Sequence, residues 1–173
     1  MIKRVQHLDW RFSESLGGLR IPPGLSAALR VFVRTGDGWV WLPVVLAIFC
    51  YRSRPEFYSI IGRCLLVLLV SLVFYWSVKL SVRRARPFQR RPGIAAQVPP
   101  LDQFSFPSGH TMHNLAVGLM VAHYFPLTWW PVAVLPFALG VFRVYFGVHF
   151  LSDILAGGVL GICSFEIGRW ILA

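Results

Sequence analysis

Residues Phe57–Leu80 read FYSIIGRCLLVLLVSLVFYWSVKL, 24 residues in which Arg63 is the only charge before Lys79. The hydrocarbon core of a bilayer needs about 20 apolar residues of α-helix, so this stretch is long enough to cross. Three further segments match it: Ser108–Phe125, Leu127–Gly147 and Phe150–Ala173. Gly38–Tyr51 is a fifth, with 14 uninterrupted residues between Asp37 and Arg52. That length also suits an interfacial or re-entrant piece, and the segment crosses if the two flanking charges snorkel to the headgroups. We take it as a span.

Composition agrees with this. Hydrophobic residues make up 56% of the 173, charged residues 14%, and the mean hydropathy is +0.62, against about 25% charged in an ordinary soluble domain. A water-soluble globule of this size could not hide so much apolar surface and a disordered chain would not carry it. The expected fold is therefore all-α, an integral membrane bundle of about five transmembrane helices forming one domain over residues 1–173.

Residues 1–36 carry apolar side chains at helical spacing among charges, first Ile2, Val5, Leu8, Phe12 and Leu16, then Leu25, Leu29, Phe32 and Val33. They read as amphipathic helices lying in the membrane interface. With no apolar core, residues 1–20 do not read as a signal peptide.

The charge balance is 17 basic residues to 7 acidic, formally +10, and only Lys3 and Lys79 are lysine. With no water-facing domain to carry them, these arginines argue against nucleic acid and for a phosphate-bearing lipid at the bilayer surface. Cys50, Cys64 and Cys163 are far apart in apolar stretches and read as small buried hydrophobes. Glu166 and Arg169, three apart near a span end, form a pair.

One long connection stands out, residues 81–107. It holds Arg83, Arg84, Arg86, Arg90 and Arg91 together with Pro87, Pro92, Pro99, Pro100 and Pro107. Proline at that density prevents a regular helix, and a long irregular loop in a small protein is usually functional.

Counting crossings brings three clusters together. The second span ends in Lys79 and Arg86-Pro87, the third starts at Pro107-Ser108-Gly109-His110, and the fourth and fifth are joined through Arg143, His149 and Asp153. All these ends lie on one side of the bilayer. His149 and Asp153 stand four apart, so a helix puts the carboxylate against the imidazole, fixing its tautomer and leaving the other nitrogen as a nucleophile. Ser108 is a natural N-cap, and Gly109 lets a ligand approach the helix start, where free N–H groups attract anions. Lys79, Arg86 and Arg143 suit a phosphate, and His110 suits proton donation to a leaving oxygen.

Each residue alone has a plainer reading as a packed polar group or headgroup contact; their joint placement on one face is what points to a site. Behind it, His149, Asp153, Gly157 and Gly161 run at i, i+4 spacing, as do His110, Asn114 and Gly118. These are small-residue seams that would hold the histidines in register. His7, His113 and His123 are left outside, with His113 turned to headgroups or loop.

The three-part pattern Lys79-x6-Arg86-Pro87, Pro107-Ser-Gly-His110 and Arg143-x5-His149-x3-Asp153 resembles the signature of the type 2 phosphatidic acid phosphatase family, whose site is shared with the soluble vanadium haloperoxidases. The resemblance spans about residues 79–153. It implies a helical bundle and a phosphatase that needs no metal or other cofactor. His149 would form a phosphohistidine, Asp153 would orient it, and His110 would be the general acid. Lys79, Arg86, Ser108, Gly109 and Arg143 would hold the phosphate. Phe142 departs from the serine usual in the family, which touches one phosphate hydrogen bond and not the reaction.

Substrates implied are undecaprenyl diphosphate, phosphatidylglycerol phosphate, phosphatidic acid or a lipid A phosphate. The rival readings are a phosphotransferase using the same phosphohistidine and a non-catalytic lipid-binding protein. The basic residues Lys3, Arg4, Arg11, Arg20, Arg30, Arg34, Arg83, Arg84, Arg90 and Arg91 on the site face, against Arg52, Arg54, Arg63 and Arg169 opposite, point the site to the cytoplasm by the positive-inside rule. The resemblance implies the bacterial inner membrane with an outward-facing site, and we adopt that orientation. Oligomeric state is not legible.

Overall fold

The computed structural model describes residues 2–90 and 96–172. Arg91 and Pro92 of the long loop lie outside these residues, as do the side chains of Ile2, Lys3 and Val5 in the first amphipathic segment. Among the described residues the chain is helical, in the order α1 (Ile2–Gly17), α2 (Pro23–Thr35), α3 (Trp41–Tyr51), α4 (Arg54–Val82), the single turn α5 (Pro87–Arg90), α6 (Gly109–Tyr124), α7 (Trp129–Tyr145) and α8 (Leu151–Ile171).

Helix α4 begins in a reciprocal cap. The Ser53 backbone N–H and hydroxyl both donate to Glu56, at 3.3 and 3.1 Å, with Pro55 in the first turn. The helix then runs 29 residues without a break to Arg83, whose left-handed φ of 47° turns the chain out. Helices α4, α7 and α8 are long and apolar enough to cross a membrane. Helix α6 has only 16 residues, but α4, α7 and α8 pack around it and bury 11 of them.

Helix α3 covers 11 residues, about 16 Å of rise, and would be too short alone. It packs on α4 and is tied to α6 at three points in and beside it. Asp37 meets His110 at the start of α6, Trp41 donates to Asn114 at 3.0 Å, and the Arg52 guanidinium lies 4.9 Å from the Phe125 ring at its end. The stretch 37–52 therefore runs beside 110–125 as an apolar helix shorter than the three candidate spans.

The far surface carries exposed Tyr51, Tyr58, Trp129, Trp130 and Trp170, an aromatic belt of the kind that sits at headgroup level. Helix α1 buries Asp9 and Ser13 against the bundle and leaves Leu8 and Phe12 exposed beside Arg4, His7, Arg11 and Glu14. Its inward face reaches the back of the site, as shown below. Glu166 and Arg169 pair at 2.7 Å on the exposed side of α8.

Helices α6 and α8 meet at a glycine seam. A Cβ at Gly157 would stand 2.7 Å from the Ser108 carbonyl oxygen, and one at Gly161 would stand 2.8 Å from that of Met112. The matching stripe on α6 does not face α8. Gly118 packs on Val132 of α7, and Asn114 bonds to residues 36 and 41, so α6 offers Ser108, Thr111 and Met112 to the seam instead. The cysteines also differ from expectation: Cys64 is buried, but Cys50 and Cys163 lie on the exposed apolar exterior, a surface that suits apolar side chains when lipid covers it.

Candidate active site

The link between α7 and α8 is a buried turn, residues 146–150. Gly147 takes a φ of 74° there, a conformation glycine adopts without cost, and its carbonyl accepts from Phe88 N–H at 3.2 Å. Two other backbone bonds join the segments. Ser108 N–H donates to Asp153 O at 3.0 Å, and Ser105 N–H donates to Arg84 O at 2.8 Å. The helix starts and the long loop are thus fastened to each other at one end of the bundle.

His149 and Asp153 meet as their spacing predicts, Nδ1 to Oδ2 at 3.3 Å, both fully enclosed. Asp153 does more than orient the ring: it also accepts from Phe150 N–H at 2.8 Å, capping α8. The other imidazole nitrogen, Nε2, lies 3.4 Å from Arg86 Nη1, which also donates to Val148 O at 2.7 Å. Burial, then the charges of Arg143, Arg86 and Lys79, push the His149 pKa well below the ordinary imidazole value. These surroundings favour the neutral form of the ring.

His110 Nε2 lies 3.0 Å from Arg143 Nη1 and 2.5 Å from Asp37 Oδ1. Arg143 is buried, and its Nε has no hydrogen-bond partner among the described residues. A buried guanidinium N–H left unpaired costs about 1–3 kcal/mol, so this group is suited to an incoming acceptor. Arg86, Gly109, His110, Arg143 and His149 all line one cavity of about 540 Å³.

Three of the expected residues stand behind that wall. Asp153 backs His149. Ser108 caps α6 as predicted, but its hydroxyl faces Thr111, accepting from the backbone N at 3.5 Å and from Oγ1 at 3.2 Å. Lys79 has all three ammonium hydrogens engaged, by Tyr75 Oη at 2.6 Å, Asp102 Oδ1 at 2.7 Å and Phe104 O at 3.0 Å. Gly109 fits the site for a reason besides ligand approach: a Cβ there would stand 2.8 Å from the Tyr75 ring. Phe142 is turned to α2, where its ring meets Phe32 edge-on at 5.9 Å, so that position serves packing.

Four residues were not singled out from sequence. Asp102, in the long loop, accepts from Lys79, from Arg86 at 2.9 Å and from the Tyr75 hydroxyl. Burial alone would raise its pKa, but the bonds from Lys79 and Tyr75 and the charges of Lys79 and Arg86 prevail and hold it at about 2. Arg84 is no surface charge. It donates to Asp153 Oδ1 and to Asp9 Oδ2, both at 2.7 Å, and Asp9 also accepts from Ser152 N–H at 2.9 Å, so α1 reaches the back of the site. Asp37 is the fourth: burial opposes its ionisation, yet the His110 bond and the charges of His110, Arg143 and Arg34 bring its pKa below the ordinary carboxylate value. The signal for all four was their charge in so apolar a chain. His113, expected toward the headgroups or the loop, instead bonds Ser71 of α4 at 2.8 Å.

Fold and site define a class of protein: an α-helical membrane bundle that gathers a histidine–aspartate pair, a second histidine and a set of cations at one surface. Residues 60–172 match the PAP2 superfamily, and the chain belongs to it.

The chain is 34% identical over 142 residues to decaprenylphosphoryl-5-phosphoribose phosphatase of Mycobacterium tuberculosis, covering 80% of this chain and 76% of that protein. It is 34% identical over 177 residues to phosphatidylglycerophosphatase B of Bacillus subtilis, covering 93% and 81%. Against the bacitracin transport permease protein BcrC of Bacillus licheniformis the match spans 49% of this chain and 42% of the relative. Among solved structures, Aquifex aeolicus LpxE shares the fold with a TM-score of 0.77 at 24% identity, over 94% of each chain. The PAP2-type phosphatidylglycerolphosphate phosphatase of Bacillus subtilis superposes with a TM-score of 0.75 at 26% identity, over 97% of this chain and 86% of that one.

Proposed function

We propose that this protein is a membrane lipid phosphatase that removes a terminal phosphate by way of a phosphohistidine at His149, without a metal ion. The observation that carries this reading is the cavity itself. Its polar end holds His149, His110, Arg86 and Arg143, and its walls continue as Trp41, Val45, Leu65 and Leu68 of α3 and α4. Val45 and Leu65 are exposed on the outside of the bundle, so a headgroup at the histidines can keep its tail in contact with lipid.

The chemistry follows from the contacts. His149 Nε2 attacks phosphorus, and the P–N bond forms as the bond to the lipid oxygen breaks. His110 supplies the proton to that oxygen. Arg143, Arg86 and the N–H groups at the start of α6 stabilise the charge of the five-coordinate phosphorus. Water then attacks, His110 takes its proton, the P–N bond breaks and phosphate leaves. The nearby acids are already engaged, Asp153 by Arg84, Asp102 by Lys79 and Arg86, Asp37 by His110, which supports a mechanism resting on cations rather than a carboxylate-bound metal.

The decaprenylphosphoryl-5-phosphoribose phosphatase, phosphatidylglycerophosphatase B and an undecaprenyl-diphosphatase of Sulfolobus acidocaldarius, 30% identical, support a substrate with a long apolar tail, of the polyprenyl phosphate or phosphatidylglycerol phosphate kind, with phosphatidic acid and lipid A phosphate implied by the family resemblance. We take the site to face away from the cytoplasm; Arg84, counted as a surface charge from sequence, is held by two carboxylates and drops out of the contrary count.

The test is phosphate release by the purified protein from such lipids, repeated in sealed right-side-out vesicles. Expected are turnover in EDTA, inhibition by vanadate, and label from a phosphate-labelled lipid trapped without acid on the wild type but not on His149→Ala. Absence of free phosphate, metal-dependent turnover or label on His149→Ala would overturn the reading. Transfer to another acceptor would make the protein a phosphotransferase.

A further inference from the structure

We propose that Asp37 is a positioning residue that keeps the transferable proton on Nε2 of His110. The inference rests on the phosphatase reading and adds a group that the motif pattern lacks.

Asp37 lies in the turn between α2 and α3, 73 residues from His110, and lines the same cavity as His149 and Arg143. The turn is fixed against α6 at two points. Asn114 donates to Gly36 O at 3.0 Å, and Trp41 donates to Asn114 Oδ1 at 3.0 Å. Gly36 is a necessary part of this fit, since a Cβ there would come within 3.0 Å of the His110 ring and 2.9 Å of Leu139. The approach of Asp37 to His110 is therefore built by side chains of three elements rather than by a free loop.

The geometry at Nε2 decides which atom carries the proton. A carboxylate oxygen and a bare imidazole nitrogen are both acceptors, and at 2.5 Å they require a hydrogen between them. Arg143 Nη1, 3.0 Å from the same nitrogen, can only donate and favours the bare form. Arg86 and Arg34 add positive charge from the loop and from α2. Asp37 is the anion that offsets these cations at His110. With His110 as imidazolium, protonated at both nitrogens, the Nε2 proton passes from its contact with Asp37 to the leaving oxygen as the P–O bond breaks, and the ring is left neutral with its hydrogen on Nδ1. Asp37 also favours the return of a proton from the attacking water before the P–N bond is broken.

The experiment compares kcat/KM, which reports events up to P–O cleavage, for a long-chain alkyl phosphate and for nitrophenyl phosphate, whose leaving group needs no acid. Asp37→Asn should lower the alkyl value about 10–100-fold, as loss of acid–base assistance does, and the nitrophenyl value less than about threefold. Asp37→Glu, which keeps the charge, should recover most of the alkyl activity. In a His110→Ala background, Asp37→Asn should change neither value by more than about twofold.

Equal losses on both substrates, or the same loss with and without His110, would make Asp37 a structural residue of the turn and overturn the inference while leaving the phosphatase reading intact. A wild-type protein that releases no phosphate from either substrate would overturn both.

Discussion

His149, the proposed nucleophile, is brought to its neutral form by its surroundings before any substrate arrives. Enclosure and three cations disfavour its charged form, so it is neutral well below the ordinary imidazole pKa of about 6.5. A nucleophile active when neutral loses activity only when pH falls through its own pKa. The acid limb of kcat/KM, which reports the free enzyme, should therefore lie well below pH 6.5 once the substrate's own phosphate ionisation near pH 6 is divided out. An acid limb at 6.5 would mean that the essential base is not this residue. Asp153 holds the ring through Nδ1 while itself bound by Arg84 and Phe150 N–H. Asp153→Asn presents an amide where the imidazole needs a charged acceptor. A serine protease that loses the equivalent acid slows about 10⁴-fold, so kcat here should fall about 10²–10⁴-fold with the protein still inserted. Activity within about threefold of wild type would remove Asp153 from the mechanism.

Helix contacts set how far these side chains can stray. Gly157 gives α8 its approach to the first turn of α6, and the atom a methyl would meet is a backbone oxygen at 2.7 Å, which cannot rotate away. Gly157→Ala should cost about 1–3 kcal/mol as an overpacked contact and lower activity as His110 moves from His149. Gly62→Ala on α4 is the matched control, because nothing lies within 4 Å of its Cβ. A thermal midpoint in detergent that falls for Gly62→Ala and not for Gly157→Ala would contradict the seam. Much of this level was legible in the sequence. Hydropathy and span order alone brought Lys79, Arg86, His110, Arg143, His149 and Asp153 to one surface, and i, i+4 spacing paired His149 with Asp153 and aligned Gly157 with Gly161. Asp37, Asp9 and Arg84 were not legible as site residues. Their partners lie 73, 75 and 69 residues away, chosen by how α1 and the α2–α3 turn dock, and no periodicity encodes docking. Asp102 was hidden for a related reason: an irregular loop has no repeat from which to infer which cation its acid meets.

The whole molecule is built around a difference between its two ends. Exposed aromatics mark both ends, Tyr51, Trp129 and Trp170 at the far surface and Trp39 and Trp76 at the site surface, but only the site surface carries α1, the arginine-rich loop and the mouth of the cavity. Between them, α3 and α4 leave a channel that α6 closes from behind, with Leu68 and Leu72 on one wall and Val44 and Val45 on the other. A lipid tail in that channel would be covered by protein over its first methylenes and by bilayer beyond. Each methylene moved from water to an apolar wall is worth about 0.8 kcal/mol, but much less when it leaves lipid, so the channel should act mainly by aligning the headgroup with His149. Leu68→Trp narrows it without touching the histidines. For a long-tailed phosphate, kcat/KM should drop about tenfold, a cost of about 1.4 kcal/mol, while nitrophenyl phosphate, which has no tail, should change by less than about twofold. An equal fall on both substrates would mean that the bulkier side chain disturbs the bundle, and no fall on the long-tailed one would mean that tails enter elsewhere, with the channel between α3 and α4 only a packing gap.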